Sequence, residues 1–419
     1  MRVVAFALAL VALLSRAPAA AREEPESFPS ALLICRSDPP GATILVGHPH
    51  SQHAYRKGVT PKTVEITAVA PVPRELRVTF VLEGYEPWSE IIAVKSGERV
   101  VLDVKLQPKR TMVFVGSQAL LAADARGKNV RRLFALSPPC DPSAPSWNPE
   151  GTAFVLVSGG EVCRATLASR APERIVTAER VARAVGAEHV VCRAPAWSKD
   201  GRWVAFLAAA DGAASLLVVP SEGGEPHVLA RYVTSPPAWS KTGLLAASGP
   251  AGLVIWDMSK GEPRQLSTLR GASDPCWSPE GERLVFCMSG ELFVADARLQ
   301  AIAQLTNSGR AGPRRPQWSP DGKTIVCVIR RELPGVDPWD ELWAVFPDSA
   351  RPPARLASGE QGFGERRFIE PGGFTPDGQS FCFTTTGSGE ILTVGLDGAG
   401  PRLLVYAFGF PSWSGPLAP

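Results

Sequence analysis

Three histidines, His48, His50 and His53, stand within six residues of one another, and imidazole is the commonest metal ligand. They share a short polar loop with no carboxylate or cysteine beside them, so the expectation is a solvated loop. No metal ligand is assigned there, because a working site needs partners that hold its ligands in place. The eight cysteines contain no C-x-x-C pair, which removes the commonest zinc and redox spacings. Neither a G-x-S-x-G elbow nor an H-E-x-x-H helix occurs, and His189 and His227 are isolated. The sequence therefore assigns no catalytic residue and no cofactor. What remains is a basic and aromatic set: Arg330, Arg331, Trp339, Phe363, Arg366, Arg367 and Phe368. These residue types are enriched in interface hot spots, and this set is the candidate binding patch.

The elements that must position that patch are repeats. One pentapeptide recurs six times: Trp147 to Gly151, Trp197 to Gly201, Trp239 to Gly243, Trp277 to Gly281, Trp318 to Gly322 and Phe374 to Gly378, with a truncated copy at Trp413-Ser414. The aromatic positions are 38 to 56 residues apart, a period that suits a four-stranded propeller blade. Ser-Pro-Asp-Gly is a turn sequence: the hydroxyl caps, proline presets φ and glycine ends the turn. A nearly continuous apolar run follows each turn, as in Ala153 to Val157 or Ile325 to Ile329. A strand apolar on both faces is one buried on both faces, so the recurrent tryptophans are expected as core between blades.

Met112 to Val115, Ala119 to Asp124 and Val130 to Leu136 look like the second to fourth strands of a blade with no motif before them. Pro411 to Ser414 looks like a first strand with nothing after it. The expectation is a β-propeller over residues 110–419 of seven blades, with six as the alternative, closed by pairing of the C-terminal strand with the first blade so that no edge stays open. In such a ring the loops from fourth to first strands share one face with the loops from second to third strands. Extra length falls on that face, at Ala178 to Ala194, Arg330 to Asp340 and Ala357 to Gly373, and binding residues concentrate on loops held by a rigid scaffold. Cys140 and Cys192 lie in successive loops of this face and are the candidate disulfide, while Cys287, Cys327 and Cys382 fall in second strands as buried, inert thiols.

Ahead of the repeats, residues 31–107 alternate Val, Ile, Thr and Leu with polar residues in short runs broken by Pro and Gly. This reads as a small β-sandwich-like module, so the whole chain is expected to be all-β. Its landmarks, Pro39-Pro40-Gly41-Ala42, Gly58, Thr60-Pro61, Gly84-Tyr85 and Val104-Lys105-Leu106, resemble the PEGA domain of bacterial envelope proteins. The repeats resemble the TolB-like propellers, also of the bacterial envelope. The pair of resemblances implies an exported, non-enzymatic protein that docks a protein or glycan of the envelope. The alternatives are a propeller hydrolase or lyase with dispersed acids, or a purely structural tether.

The N-terminus agrees with export. Arg2, an apolar run from Val3 to Leu14 and Ala17-Pro18-Ala19 have the form of a signal peptide, assigned to residues 1–21, with 22–30 as a linker. Removal of Arg2 and Arg16 with it leaves 42 basic against 41 acidic residues. With no basic cluster interleaved with aromatics, nucleic acid is not an expected partner, and no later run is long enough to span a bilayer.

Overall fold

The computed structural model of the chain describes residues 29–51, 53–67, 73–82, 85–106, 110–124, 127–307, 312–359, 368–385, 389–406 and 409–414. The residues read as a signal peptide lie outside these. The chain divides into two compact units, Met1–Gln107 and Pro108–Pro419, and apart from one short helix the described elements are strands. No helix among the described residues is long and apolar enough to cross a membrane.

The first unit has two sheets over one core. In the three-stranded sheet, Ala31–Asp38 pairs antiparallel with Lys62–Ile66 and parallel with Arg99–Lys105. The other sheet runs in the order Ala54–Val59, Thr43–Gly47, Arg74–Val81, Trp88–Val94. Side chains alternate across a strand, and Leu33, Cys35, Ile44, Val46, Val78 and Phe80 are the inward set. The turn at Pro39 to Ala42 is tied down by Thr60, whose Oγ1 accepts the N–H groups of Gly41 (3.1 Å) and Ala42 (3.0 Å). Gly41 has φ of 96°, a conformation open to glycine at little cost.

The second unit contains seven four-stranded antiparallel sheets among its described residues. The fifth is representative: Ala272–Trp277, Arg283–Met288, Glu291–Asp296 and Ile302–Gln304, in sequence order. Its first strand ends at the repeat tryptophan, and the turn that follows has the chemistry its sequence requires. In the equivalent turn of the third sheet, Ser198 Oγ accepts the Trp203 N–H (2.9 Å) and donates to Asp200 (2.6 Å), and Gly201 takes φ of 79°. Ser319, Asp321 and Thr324 repeat the arrangement in the sixth.

The apolar second strands are buried on both faces because each sheet packs between two neighbours. In Ala153–Ser158, Phe154 and Leu156 face the sheet before, in one core cluster with Val113, Leu120 and Phe134. Val155 and Val157 face the sheet after, with Val204 and Phe206. Similar clusters join every consecutive pair of sheets, and one more joins the seventh to the first through Met112, Phe114, Cys382, Ile391 and Val405. The first sheet has the order Arg131–Ala135, Ala119–Asp124, Thr111–Val115, Ser412–Trp413, with Ser412 opposite Val113 and Trp413 opposite Met112.

Candidate functional site

The first strands of successive sheets surround a cavity of about 650 Å³, in the range of small-ligand sites. Its wall is built by a device repeated in at least three sheets. The pairing with the second strand slips between Arg193 and Ala196, between Ser273 and Cys276, and between Arg314 and Gln317. Each slip holds one residue in the left-handed region three positions before the repeat tryptophan: Ala194 (φ 47°), Asp274 (φ 50°) and Arg315 (φ 50°). Bulges re-aim side chains, and here Asp274 and Arg315 line the cavity. Proline stands two residues before six of the aromatics, as Pro145, Pro195, Pro237, Pro275, Pro316 and Pro411. The tryptophans are core, as expected, with Trp197, Trp239, Trp277 and Trp318 buried. Three of them, Trp197, Trp239 and Trp277, also line the cavity. Trp239 Nε1 donates to the Ala196 carbonyl (3.0 Å) and Trp277 Nε1 to the Ala238 carbonyl (3.1 Å), stitching each sheet to the one before it.

Five charged residues line the cavity: Asp141, Asp274, Glu370, Arg315 and Lys199. The strands run from the loop face toward the Pro-Asp-Gly turns, so Asp274, Arg315 and Glu370 sit toward the loop face and Lys199 rises from the turn face. The acids are engaged by the protein. Asp141 accepts from Ser143 and from the Ala194 N–H, Asp274 from the Arg315 N–H (3.2 Å), and Glu370 from the Arg315 guanidinium. Lys199 is different: among the described residues no carboxylate pairs with it. It is exposed to solvent, and desolvation lowers its pKa below the usual lysine value, offset in part by the Cys276 thiol. Burial in turn pushes the Cys276 thiol up.

Of the sequence-derived patch, Phe363, Arg366 and Arg367 lie outside the described residues. Arg330 and Arg331 stand on Ile325–Leu333, which with Val336–Val345 forms a long hairpin. Arg330 Nε bonds Asp340 (3.1 Å), and its guanidinium lies 4.5 Å from the Phe368 ring centre. Arg331 bonds Glu341 (2.8 Å) and stacks 5.6 Å from the Trp343 ring centre. Trp339 is buried, at 5% exposure, rather than presented as a contact. The structure thus brings Arg330 and Phe368 together, sends Arg331 to a separate partner, and turns Trp339 inward. The insertion at Ala178 to Ala194 includes helix α1 (Ala178–Val185), which buries Val181, Ala182 and Val185 and is capped by Thr177 and Gly186. His48 and His50 have ring centres 6.0 Å apart in the first unit.

The disulfide expectation is corrected. Cys140 and Cys192 are both free thiols, because they belong to different interfaces. Cys192 is fully buried between the second and third sheets, while Cys140 packs at the edge of the cluster between the first and second. Burial pushes the Cys192 and Cys327 thiols up to about 12, and Cys382 is raised as well. Since the thiolate is the reactive form, native protein at pH 8 is expected to leave Cys192, Cys327 and Cys382 unlabelled by a disulfide reagent until it is unfolded. Counting modified cysteines by mass spectrometry checks this. Rapid native labelling of Cys192, or a Cys140–Cys192 crosslink after mild oxidation, would contradict it.

Comparison with known proteins places the two units. The PEGA domain model matches residues 30–110. A lipoprotein LpqB β-propeller domain model matches residues 173–263, and the dipeptidyl peptidase IV N-terminal region matches 238–315. A candidate 6-phosphogluconolactonase from Bacteroides uniformis is 15% identical, with 73% of this chain and 99% of that chain covered and a TM-score of 0.50. TolB from Acinetobacter baumannii is 16% identical over 83% of this chain and 80% of that chain, with a TM-score of 0.45. A search of curated proteins finds no match. The protein class is therefore multi-sheet all-β with a β-propeller. More particularly, the chain joins a PEGA domain to a propeller whose turns resemble the TolB-like repeats.

Proposed function

We propose that this is an exported, non-enzymatic binding protein of the bacterial envelope, whose propeller docks an envelope protein or glycan on its loop face. Residues 1–21 are read as the signal peptide, 22–30 as a linker, 31–107 as the PEGA unit and 110–419 as the propeller. The propeller is read as a seven-bladed ring closed by Ser412–Trp413 rather than as six blades. The pairing of that strand with Thr111–Val115 and the cluster between the seventh and first sheets support this.

The observation that carries the docking reading is the crowding of one face. The hairpin tip at Pro334-Gly335, helix α1 and the acid-lined end of the cavity all rise where fourth strands pass to first strands and second to third. The exposed Leu333 and Val336 flank that tip, and the proposed contact set is Arg330, Arg331, Phe363, Arg366, Arg367 and Phe368. Engagement of the cavity acids by backbone and arginine favours binding over acid–base chemistry, since a general acid or base needs a free proton site within reach of substrate.

Pull-down from envelope extracts with residues 22–419 tests this. At least one envelope protein or glycan recovered by wild type should be lost by Arg366→Ala/Arg367→Ala. Equal recovery of every partner would remove the patch. Retention in the envelope by the PEGA unit alone would favour the structural tether.

A further inference from the structure

We propose that the first unit pairs edge to edge with a second copy of this chain, through the strand Arg99–Lys105 with a two-fold axis at Val101. This goes beyond the docking reading and does not depend on it.

Sheet edges offer unpaired N–H and C=O groups to other chains, and proteins blunt them with bulges or short strands. The propeller follows this rule. In six of its seven sheets among the described residues, the pairing of the outermost strand slips against its neighbour. The exception, Ile302–Gln304, has three residues. In the first unit the pairing of Ala54–Val59 slips as well. Arg99–Lys105 is different: its seven residues pair with Ala31–Asp38 without a slip, and no described strand pairs with its other side. The Leu32 N–H donates to the Glu98 carbonyl (2.8 Å) and the Leu106 N–H to the Asp38 carbonyl (2.9 Å). Even-numbered residues of this strand therefore bond inward, and Arg99, Val101, Asp103 and Lys105 aim their backbone groups at the open edge. Val101 is 56% exposed.

The charge order identifies the occupant. An antiparallel partner forms its bonds only where outward-bonding residues meet outward-bonding residues. Centring the pair on Val101 sets Val101 against its own copy and Arg99 against Asp103 on both sides, with Lys105 opposite Gly97. A slip of two residues one way puts Val101 against Asp103 and Arg99 against Lys105, and a slip the other way puts Val101 against Arg99. Opposite charges facing each other across strands stabilise a sheet and like charges destabilise it, so one register is favoured. Arg99 and Asp103 are exposed, and among the described residues neither is in an ion pair, although Arg36 stands beside Asp103 in the ladder. Ile34 is opposite Val101 in the same ladder, so the joined sheet gains an apolar row of Ile34 and Val101 from each copy. The remaining edges lack this match. Trp88–Val94 carries Glu90 as its one charge, and in Lys62–Ile66 the Lys62 and Glu65 positions differ in parity and cannot face each other across a two-fold axis. A pair of chains carries two propellers, and linked binding sites gain avidity without any new contact.

Sedimentation equilibrium of residues 22–419 from about 1 to 200 µM, the range suited to a small interface, tests the assignment. Wild type should pass from monomer to dimer within it. Arg99→Asp and Asp103→Arg each turn two attractive pairs into repulsive ones and should raise the dissociation constant about tenfold or more. The double variant Arg99→Asp/Asp103→Arg restores opposite charges and should return to within about threefold of wild type. Val101→Lys, which sets two ammonium groups face to face, should abolish pairing, and all four variants should keep the wild-type melting temperature because these side chains are exposed. Wild type that stays monomeric throughout, a dimer that survives both single reversals and Val101→Lys, or a double variant that fails to recover would overturn the proposal.

Discussion

Ending the chain at Gly409 is expected to destabilise the entire propeller, whereas ending it at Ser414 is not. The strand Ser412–Trp413 contributes few residues, but each completes something. Ser414 exchanges bonds with Thr111, its N–H donating to the Thr111 carbonyl (3.0 Å) and its Oγ accepting the Thr111 N–H (3.0 Å). Trp413 packs on the cluster that holds Met112, Phe114 and Cys382, and the Phe410 N–H bonds the Pro142 carbonyl (3.0 Å). Without them, Thr111–Val115 becomes a bare sheet edge beside side chains that are 0–3% exposed in the intact protein. Loss of a large aromatic from a packed site costs about 3–5 kcal/mol, and the lost ladder bonds add about 1 kcal/mol each. That is a large share of a folded protein's roughly 5–15 kcal/mol. Calorimetric or dichroism melts of the two truncations should differ by about 10 °C or more. Matching melts would show that the ring is not held by this strand.

How much of this was legible in the sequence depends on range. The Trp-Ser-Pro-Asp-Gly turns and the apolar second strands are local, and their chemistry acts within a few residues, so the sheets and their order could be read directly. The C-terminal strand was legible because a motif with no strands after it called for strands with no motif before them. The cavity was not. Two of its charges, Asp274 and Arg315, stand at bulges, and nothing in a six-residue strand announces that pairing slips. The Pro-x-Trp spacing was a usable signal for the inner wall, and the lysine in place of proline at 199 was another. Trp339, buried at 5% exposure, was misjudged for a related reason. An insertion looks like a solvated loop by length, but here the strands simply continue, and a strand sends alternate side chains inward. The Cys140–Cys192 expectation failed because loops on one face still pack into different interfaces.

That continued hairpin depends on two buried acids, and removing either should be felt well beyond it. Asp340 is fully buried, accepting from Arg314, from Arg330 (3.1 Å) and from the Ile369 N–H (2.9 Å) on the first strand of the next sheet. Asp340→Ala leaves two guanidinium groups facing an empty site and a buried N–H without its acceptor, and breaking a buried pair in this way costs about 3–5 kcal/mol. Arg330→Ala should cost about 1 kcal/mol or less, because the Arg330 side chain is 39% exposed and can be replaced by water. Neighbouring Glu341 supplies the pH dependence. Burial raises its pKa, but bonds from Arg331, Trp343 and Arg355 outweigh burial and hold it below the usual glutamate range. A depressed folded value means that the contribution is complete above the unfolded value of about 4.3 and is lost as pH falls through the folded one. Denaturant titrations between pH 7 and pH 3 should therefore show Glu341→Gln less stable than wild type at neutral pH, with the difference closing in acid. A gap that stays constant to pH 3 would mean that Glu341 acts by shape and not by charge. Because Asp340 joins the hairpin to the next sheet, its loss should also loosen the hairpin tip that the docking reading places at the contact.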